Sequence, residues 1–181
     1  MYLRRIILLF ALIVFSSCEK TNPNAQSIEK EITVTVFIYE NCPIAQYMCG
    51  PLRDAYRYFC DSLNHEILFR GISPNYLSTE ETIENFITKY DIPFDVILDY
   101  DHINDQHGPY VQHYNPVVTP EVFIELNSRL IYRGMIDNSY QELGQWALPT
   151  KNYIFDILTQ LIDGETTTYF ETTAIGCVIN D

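Results

Sequence analysis

The residues of this 181-residue chain best suited to covalent chemistry are its five cysteines, Cys18, Cys42, Cys49, Cys60 and Cys177. A thiolate is a nucleophile, a metal ligand and one half of a disulfide. The spacings contain no CxxC, so neither a zinc ribbon nor a standard dithiol motif is written here. Cys42 is distinguished by its neighbours. It follows a β-branched, aromatic run at residues 31–39 (EITVTVFIY) and precedes Pro43, which opens a helical stretch. The first amides of a helix have no partners within it, and the dipole there favours negative charge. A thiolate at such a junction is stabilised, and a proline loses nothing at the first helical position. The competing reading of Cys42 is a small buried apolar residue, since free cysteine is commonly buried.

The N-terminus bears on the compartment. Arg4 and Arg5 precede an unbroken apolar run of ten residues, 6–15, followed by Ser16, Ser17 and Cys18. A charged start, a short apolar core and small residues describe an export signal. A spanning helix needs about 20 apolar residues, so the run is too short for one. The sequence Phe15-Ser16-Ser17-Cys18 resembles a bacterial lipobox, in which cleavage leaves the cysteine as a lipid-bearing first residue. The alternative is an ordinary secretory signal with an incidental cysteine. The expected organisation is a signal peptide at 1–17, a flexible polar tether at 18–30, one domain at 31–165, and a tail at 166–181 carrying Cys177. The net charge of −13 becomes more negative when Arg4 and Arg5 leave with the signal. Such a surface argues against nucleic acid and anionic headgroups as partners. An exported chain meets an oxidising setting, where disulfides are permitted.

The elements that must position Cys42 follow from pattern. Residues 31–39 read as a buried strand. The helix from Pro43 to about Leu63 meets Gly50-Pro51, which should kink or restart it with Pro51 in a first turn. Residues 66–72 read as a second strand. Ser78 and Glu81 form a capping box for a helix presenting Ile83, Phe86, Ile87 and Tyr90 on one face. Residues 94–98 read as a third strand and 104–114 as a weaker helix ending at Asn115-Pro116. Strands at 121–126 and 130–133 are joined by Asn127-Ser128, a hairpin signal. A final amphipathic helix spans 151–162 and is stopped by Gly164. The βαβ units imply parallel strands and the hairpin adds antiparallel ones. The expected class is α/β: a central mixed sheet flanked by helices on both faces.

This order, with a cysteine at the first strand-to-helix junction and Thr119-Pro120 before the hairpin, resembles the thioredoxin fold. Residues 41–45 (NCPIA) resemble the active-site turn of redoxin-domain proteins, the group of peroxiredoxins and periplasmic thiol-disulfide oxidoreductases. Residues 118–123 (VTPEVF) resemble their cis-proline loop, 132–138 (YRGMIDN) the segment after the hairpin, and 175–179 (IGCVI) a cysteine-bearing tail of exported members. The resemblance covers roughly 31–180. It implies a catalytic Cys42, with Pro43, Thr119 and Pro120 binding substrate. A cis Thr119-Pro120 bond would leave backbone groups beside Cys42 open to an extended substrate segment. It also implies a protein thiol or disulfide, or a peroxide, as substrate, with an external reductant, no cofactor, and the membrane reached through lipid on Cys18.

Departures from the family pattern limit the chemistry. Thioredoxins carry a second cysteine where Ala45 stands, and peroxiredoxins a threonine where Tyr39 stands. Cys49 lies about 10 Å of helical rise from Cys42, beyond disulfide reach unless the helix unwinds at Gly50-Pro51. Cys60 reads as core. Cys177 is the best candidate to resolve a mixed disulfide on Cys42. A reversible Cys42–Cys177 disulfide, a structural staple and a free Cys177 all remain open. Asp99, Asp101, His102, Asp105 and His107 could bind a divalent ion, but Ile103 and Asn104 break the Ca²⁺-loop pattern, and a solvated loop explains them better. Copper carriers of similar fold use a CxxxC pair, and Gln46 stands at that spacing. Tyr39, Tyr47, Tyr56 and Tyr58 could line the cleft, though tyrosines more commonly straddle core and surface. The functions left standing are a thiol-dependent oxidoreductase, a non-catalytic thioredoxin-like binding module and, least favoured, a metal carrier.

Overall fold

The computed structural model describes residues 30–142 and 144–179. The expected signal peptide, the expected lipidation site at Cys18 and the expected tether up to residue 29 lie outside them. Strand β1 (Ile32–Phe37) is followed by α1 (Pro43–Tyr56), a π-helical turn at Arg57–Ser62, and β2 (Ile67–Ser73). Then come α2 (Glu80–Tyr90), β3 (Val96–Leu98), the short ribbon β4 (Tyr100–Asp101) and β5 (Gln106–His107), and α3 (Pro109–Tyr114). The second half holds β6 (Val118–Thr119), β7 (Glu121–Leu126), β8 (Arg129–Gly134), β9 (Tyr140–Glu142), β10 (Gln145–Trp146) and α4 (Tyr153–Ile162). It ends in β11 (Phe170–Glu171) and β12 (Cys177–Val178).

The main sheet has the order β11-β8-β7-β1-β2-β3. The pairs β1–β2 and β2–β3 are parallel, while β1–β7 and β7–β8 are antiparallel. Every residue of β1 is buried because the strand is central and covered on both faces. Its side chains alternate accordingly. Ile32, Val34 and Val36 enter a large core with α1, α2 and α4, and Phe37 enters a smaller one with Ile72, Tyr114 and Phe123 beneath α3. The mixed sheet with helices on both faces is thus as the patterning predicts. On the α3 face, Arg70 donates to Thr35 Oγ1 and to the Tyr114 hydroxyl at 2.9 Å each, and Tyr114 donates to Glu125.

Several local expectations need correction. Pro51 does not restart the helix from a first turn, and it sits inside the continuous α1. A proline removes one main-chain bond, and the packing of Met48, Cys49, Leu52 and Ala55 outweighs it. The disturbance comes later, where the π-turn closes with Leu63 N–H donating to Tyr58 O at 3.0 Å. The cap of α2 is Thr79 with Thr82 rather than Ser78 with Glu81, each Thr hydroxyl accepting from the other's backbone N–H. Ser78 is drawn inward instead and is fully buried. The weak helix at 104–114 shrinks to 109–114. Asp101 accepts from the amides of Ile103 and Asn104 and forms a turn there, and Pro109 supplies the helix start. The third strand is shorter, beginning at Val96. The ribbon β9–β10, β6 and the two tail strands are elements that patterning did not predict, each being two or three residues long.

The β7–β8 hairpin closes through Asn127 and Ser128 at φ of 52° and 61°. Both central residues are left-handed, the geometry of a type I′ turn, which matches strand twist but suits glycine better than serine. Ser128→Gly should therefore raise stability by roughly 0.5 kcal/mol. Relief of the left-handed conformation outweighs the added entropy of the unfolded chain. A urea midpoint moving upward at unchanged slope is the expected observation.

Candidate functional site

Cys42 is the N-cap of α1, with extended backbone (φ −82°, ψ 117°) and Pro43 at the first helical position. Its N–H donates to Tyr39 O at 3.0 Å, and its C=O accepts from Gln46 N–H at 2.9 Å, so the turn is held on both sides. The preceding residue pair is fixed from below. Glu40 is buried, its carboxylate accepting from Ser78 Oγ at 2.8 Å and Thr82 Oγ1 at 2.7 Å, while Ser73 Oγ donates to Ser78 Oγ at 2.8 Å and lies 3.5 Å from the carboxylate. Gln46 Nε2 donates to Glu40 O at 2.7 Å. Three hydroxyls from β2 and the start of α2 therefore hold the turn that carries Cys42. Sequence reasoning missed Glu40 and Thr82, since the contacts that make them matter join elements about 40 residues apart, and read Ser78 only as a helix cap.

Across the turn, the Thr119–Pro120 peptide bond is cis. Cys42 Sγ lies 3.1 Å from Thr119 O, within reach of a thiol donor when the sulfur carries a proton. Pro120 is followed by Glu121, buried and engaged by Arg133, whose Nε and Nη2 donate to Oε1 at 3.0 and 2.6 Å. The second carboxylate oxygen accepts from Val117 N–H at 2.7 Å. This pair locks the loop that presents Thr119 to Cys42.

The third component is the tail. Cys177 is joined to Cys42 as a disulfide across 135 residues, with Cα atoms 6.0 Å apart, inside the range for such a bond. Strand β12 pairs antiparallel with β6, placing Cys177 opposite Thr119 and Val178 opposite Val118. The backbone edge at Thr119, expected to be open, is covered by the chain itself. Upstream, β11 pairs with β8, and Thr172 fixes the tail. Its N–H donates to Arg133 O at 3.1 Å, and its Oγ1 accepts from Met135 N–H at 2.9 Å and meets the Tyr132 hydroxyl at 2.7 Å. Gly134, at φ 137°, has no room for a Cβ against the Thr172 backbone.

Among the remaining expectations, Cys42, Thr119, Pro120 and Cys177 converge, Pro43 follows Cys42 as the exposed first residue of α1, and Cys49 and Cys60 stay out of the site. The Cys49 thiol is buried, donates to Ala45 O at 3.2 Å, and is pushed up to about 12 by loss of solvent. Burial also raises Cys60. The four tyrosines do not ring Cys42. Tyr56 packs on Phe69 and Phe94, and Tyr58 on Phe59 and Phe155. Tyr47 meets Tyr140 and Trp146, and Tyr39 touches Cys42 through its backbone carbonyl. The acid and histidine cluster is taken up locally. Asp99 accepts from the first amides of α3, Asp101 from its own turn, Asp105 from the Tyr100 hydroxyl, and His102 meets Ser78 O. Among the described residues no three His, Cys, Asp or Glu side chains converge as a metal site.

No protein-family model and no curated protein matches the sequence. Solved structures do. An uncharacterized conserved protein from Geobacillus kaustophilus superposes with a TM-score of 0.66 at 19% identity, over 87% of this chain and 81% of that one. A thioredoxin-like superfamily protein superposes at 0.54 and 14% identity, over 78% and 85%. A thiol-disulfide isomerase from Corynebacterium glutamicum superposes at 0.50 and 15% identity, over 75% and 82%. The chain has the thioredoxin-like fold.

The Cys49 shift has a measurable consequence. A thiol held protonated in the folded protein stabilises it fully below the ordinary value of 9.0, and that stability is lost as pH rises from 9.0 toward about 12. The unfolding free energy of Cys49→Ala should fall less steeply with pH over that window than that of the parent, as read by urea titrations at stepped pH.

Proposed function

We propose that this thioredoxin-fold chain is a thiol-disulfide oxidoreductase of the bacterial cell envelope, with Cys42 as nucleophile and Cys177 as resolving cysteine. The observation that carries the reading is the meeting of Cys177 with Cys42 at the start of α1, opposite Thr119. The thioredoxin-like fold and the thiol-disulfide isomerase of like fold from Corynebacterium glutamicum support it. In the reduced protein, Cys42 thiolate attacks a substrate disulfide, forming a Cys42–substrate bond and releasing one substrate thiolate, which takes a proton from solvent. Cys177 thiolate then attacks Cys42 sulfur, forming the Cys42–Cys177 disulfide and releasing the second substrate thiol. The protein loses two electrons and the substrate gains them. An external dithiol restores the reduced state.

Disulfides, rather than peroxides, are the substrate class the site favours, because Tyr39 stands where peroxiredoxins carry threonine and offers Cys42 only its backbone. The envelope assignment rests on the export signal and lipobox-like residues around Cys18, which would tether the domain through residues 18–30. Among the described residues no helix is long and apolar enough to cross a membrane. A second reading has one observation in its favour: Cys42 is completely buried under the tail, as a permanent clasp in a binding module would be.

The two readings separate in one experiment. Under the oxidoreductase reading, dithiothreitol reduces the bond in the native protein. Reduced protein then turns over glutathione disulfide, Cys42→Ser abolishes turnover, and Cys177→Ser accumulates a glutathione adduct on Cys42 by mass spectrometry. A bond that yields to reductant only after unfolding identifies the clasp.

A further inference from the structure

Segment 175–179 does more than deliver a sulfur atom. Among the described residues β6 has one strand partner, β12. Beyond that pair, Ile179 N–H donates to Val117 O at 3.1 Å. The edge at 117–119 therefore offers one strand position beside Cys42, and the chain's own tail fills it. The seat is selective. A Cβ on Gly176 would lie 2.6 Å from the carbonyl carbon of Thr119 and 3.1 Å from Pro120 N, and closer still to Thr119 O. Those atoms are backbone and cannot move aside, so only glycine fits immediately before the cysteine. One residue earlier, Ile175 is half-buried and lines a small cavity with Met48, Pro120, Ile136 and Tyr140. One residue after the cysteine, Val178 is 65% exposed, so that position is permissive. The tail is anchored at Thr172, and among the described residues beyond 175 it is held by a two-residue ladder, one further hydrogen bond, the disulfide and the packing of Cys177 against the core.

We propose that the 117–119 edge admits an extended, cysteine-bearing strand only when glycine precedes its cysteine, and that segment 175–179 is a tethered competitor for that edge, locked there by the disulfide in the oxidised protein and returning to it without that bond in the reduced one. A partner strand takes its place by presenting an apolar residue, a glycine and a cysteine in that order. The inference rests on the thiol-exchange reading of Cys42 and specifies the substrate of that same site. Reduction breaks the Cys42–Cys177 bond and lets the tail swing about Thr172. The partner strand then pairs with 117–119, and Cys42 thiolate attacks its disulfide, expelling that disulfide's other sulfur as a thiol. When the tail returns, Cys177 attacks Cys42 sulfur and expels the partner's cysteine as a thiol. Because there is one strand position, closing the internal disulfide and ejecting the product are a single event.

The test uses the reduced full chain and two peptides, AIGCVI and AIACVI, each carrying thiopyridine on its cysteine as a mixed disulfide. Release of the thiopyridine chromophore gives the rate, and dipyridyl disulfide serves as a small reagent that needs no docking. AIGCVI should react roughly tenfold faster than AIACVI, the added methyl being placed against immobile backbone. Ile179→Pro removes the N–H that bonds Val117 O while leaving both cysteines and Gly176 in place. It should speed the reaction with AIGCVI by roughly threefold, and by more than it speeds the reaction with dipyridyl disulfide, which needs Cys42 uncovered but no strand position. Equal rates for the two peptides overturn the docking preference, and an unchanged AIGCVI rate in Ile179→Pro overturns the tail's occupancy. In both cases a Cys42-dependent reaction with dipyridyl disulfide leaves the thiol-exchange reading standing. Absence of that reaction removes both.

Discussion

Phe37 at the end of β1 is the register partner of Glu121 at the start of β7. That antiparallel pairing sets the distances at the site. The chain leaving β1 turns through Glu40 into Cys42, and the chain arriving at β7 comes through Thr119 and Pro120, so the two turns lie side by side at one end of the sheet. Slipping the register by one residue would invert which side chains of β1 face which core. It would also carry Thr119 away from Cys42. The burial of β1 on both faces makes such a slip costly, because Val34, Val36 and Phe37 are completely buried. Sheet pairing thus precedes thiol chemistry in the causal order, although the residues are 77 apart along the chain.

Charged groups then stiffen the two turns from opposite sides. Glu40 gathers three hydroxyls beneath the Cys42 turn, and Glu121 gathers Arg133 and the Val117 amide beneath the Thr119 turn. Both carboxylates are buried and both are satisfied, the condition under which a buried charge orders its surroundings rather than destabilising them. Two rigid walls leave a narrow edge between them, and the tail enters that edge as a short strand. Gly134 and Gly176 mark the two places where the tail comes too close to other backbone for any side chain.

The legible parts of this protein were those governed by local pattern. The β-branched run of β1, the apolar face of α4 and the turn residues Asn127 and Ser128 each carry a propensity, a period or a turn signal that reads directly. The illegible parts were short or depended on partners distant in the chain. Strands β6, β11 and β12 have two residues each and no period. Glu40 carried no signal of its own, and the Asp99–His107 cluster read as a solvated loop, without the partners that fix each of its side chains. The hydroxyls and amides that occupy the buried carboxylates come from elements that composition does not bring together. Ser78 lost its capping role to Thr79 because the Glu40 carboxylate, 38 residues away, drew it into the interior.

The sequence by itself determined the order of elements, the placement of Cys42 at a strand-to-helix junction, and the candidacy of Cys177 as its partner. These rest on propensity, on spacing and on the number of thiols available. Only the tertiary structure decided that the tail lies along the Thr119 edge as a strand and that Gly176 seats against backbone there. It also decided that Cys49 is sealed into the core. Those outcomes follow from close approach between segments far apart in the chain, and steric fit of that kind has no signature in local sequence.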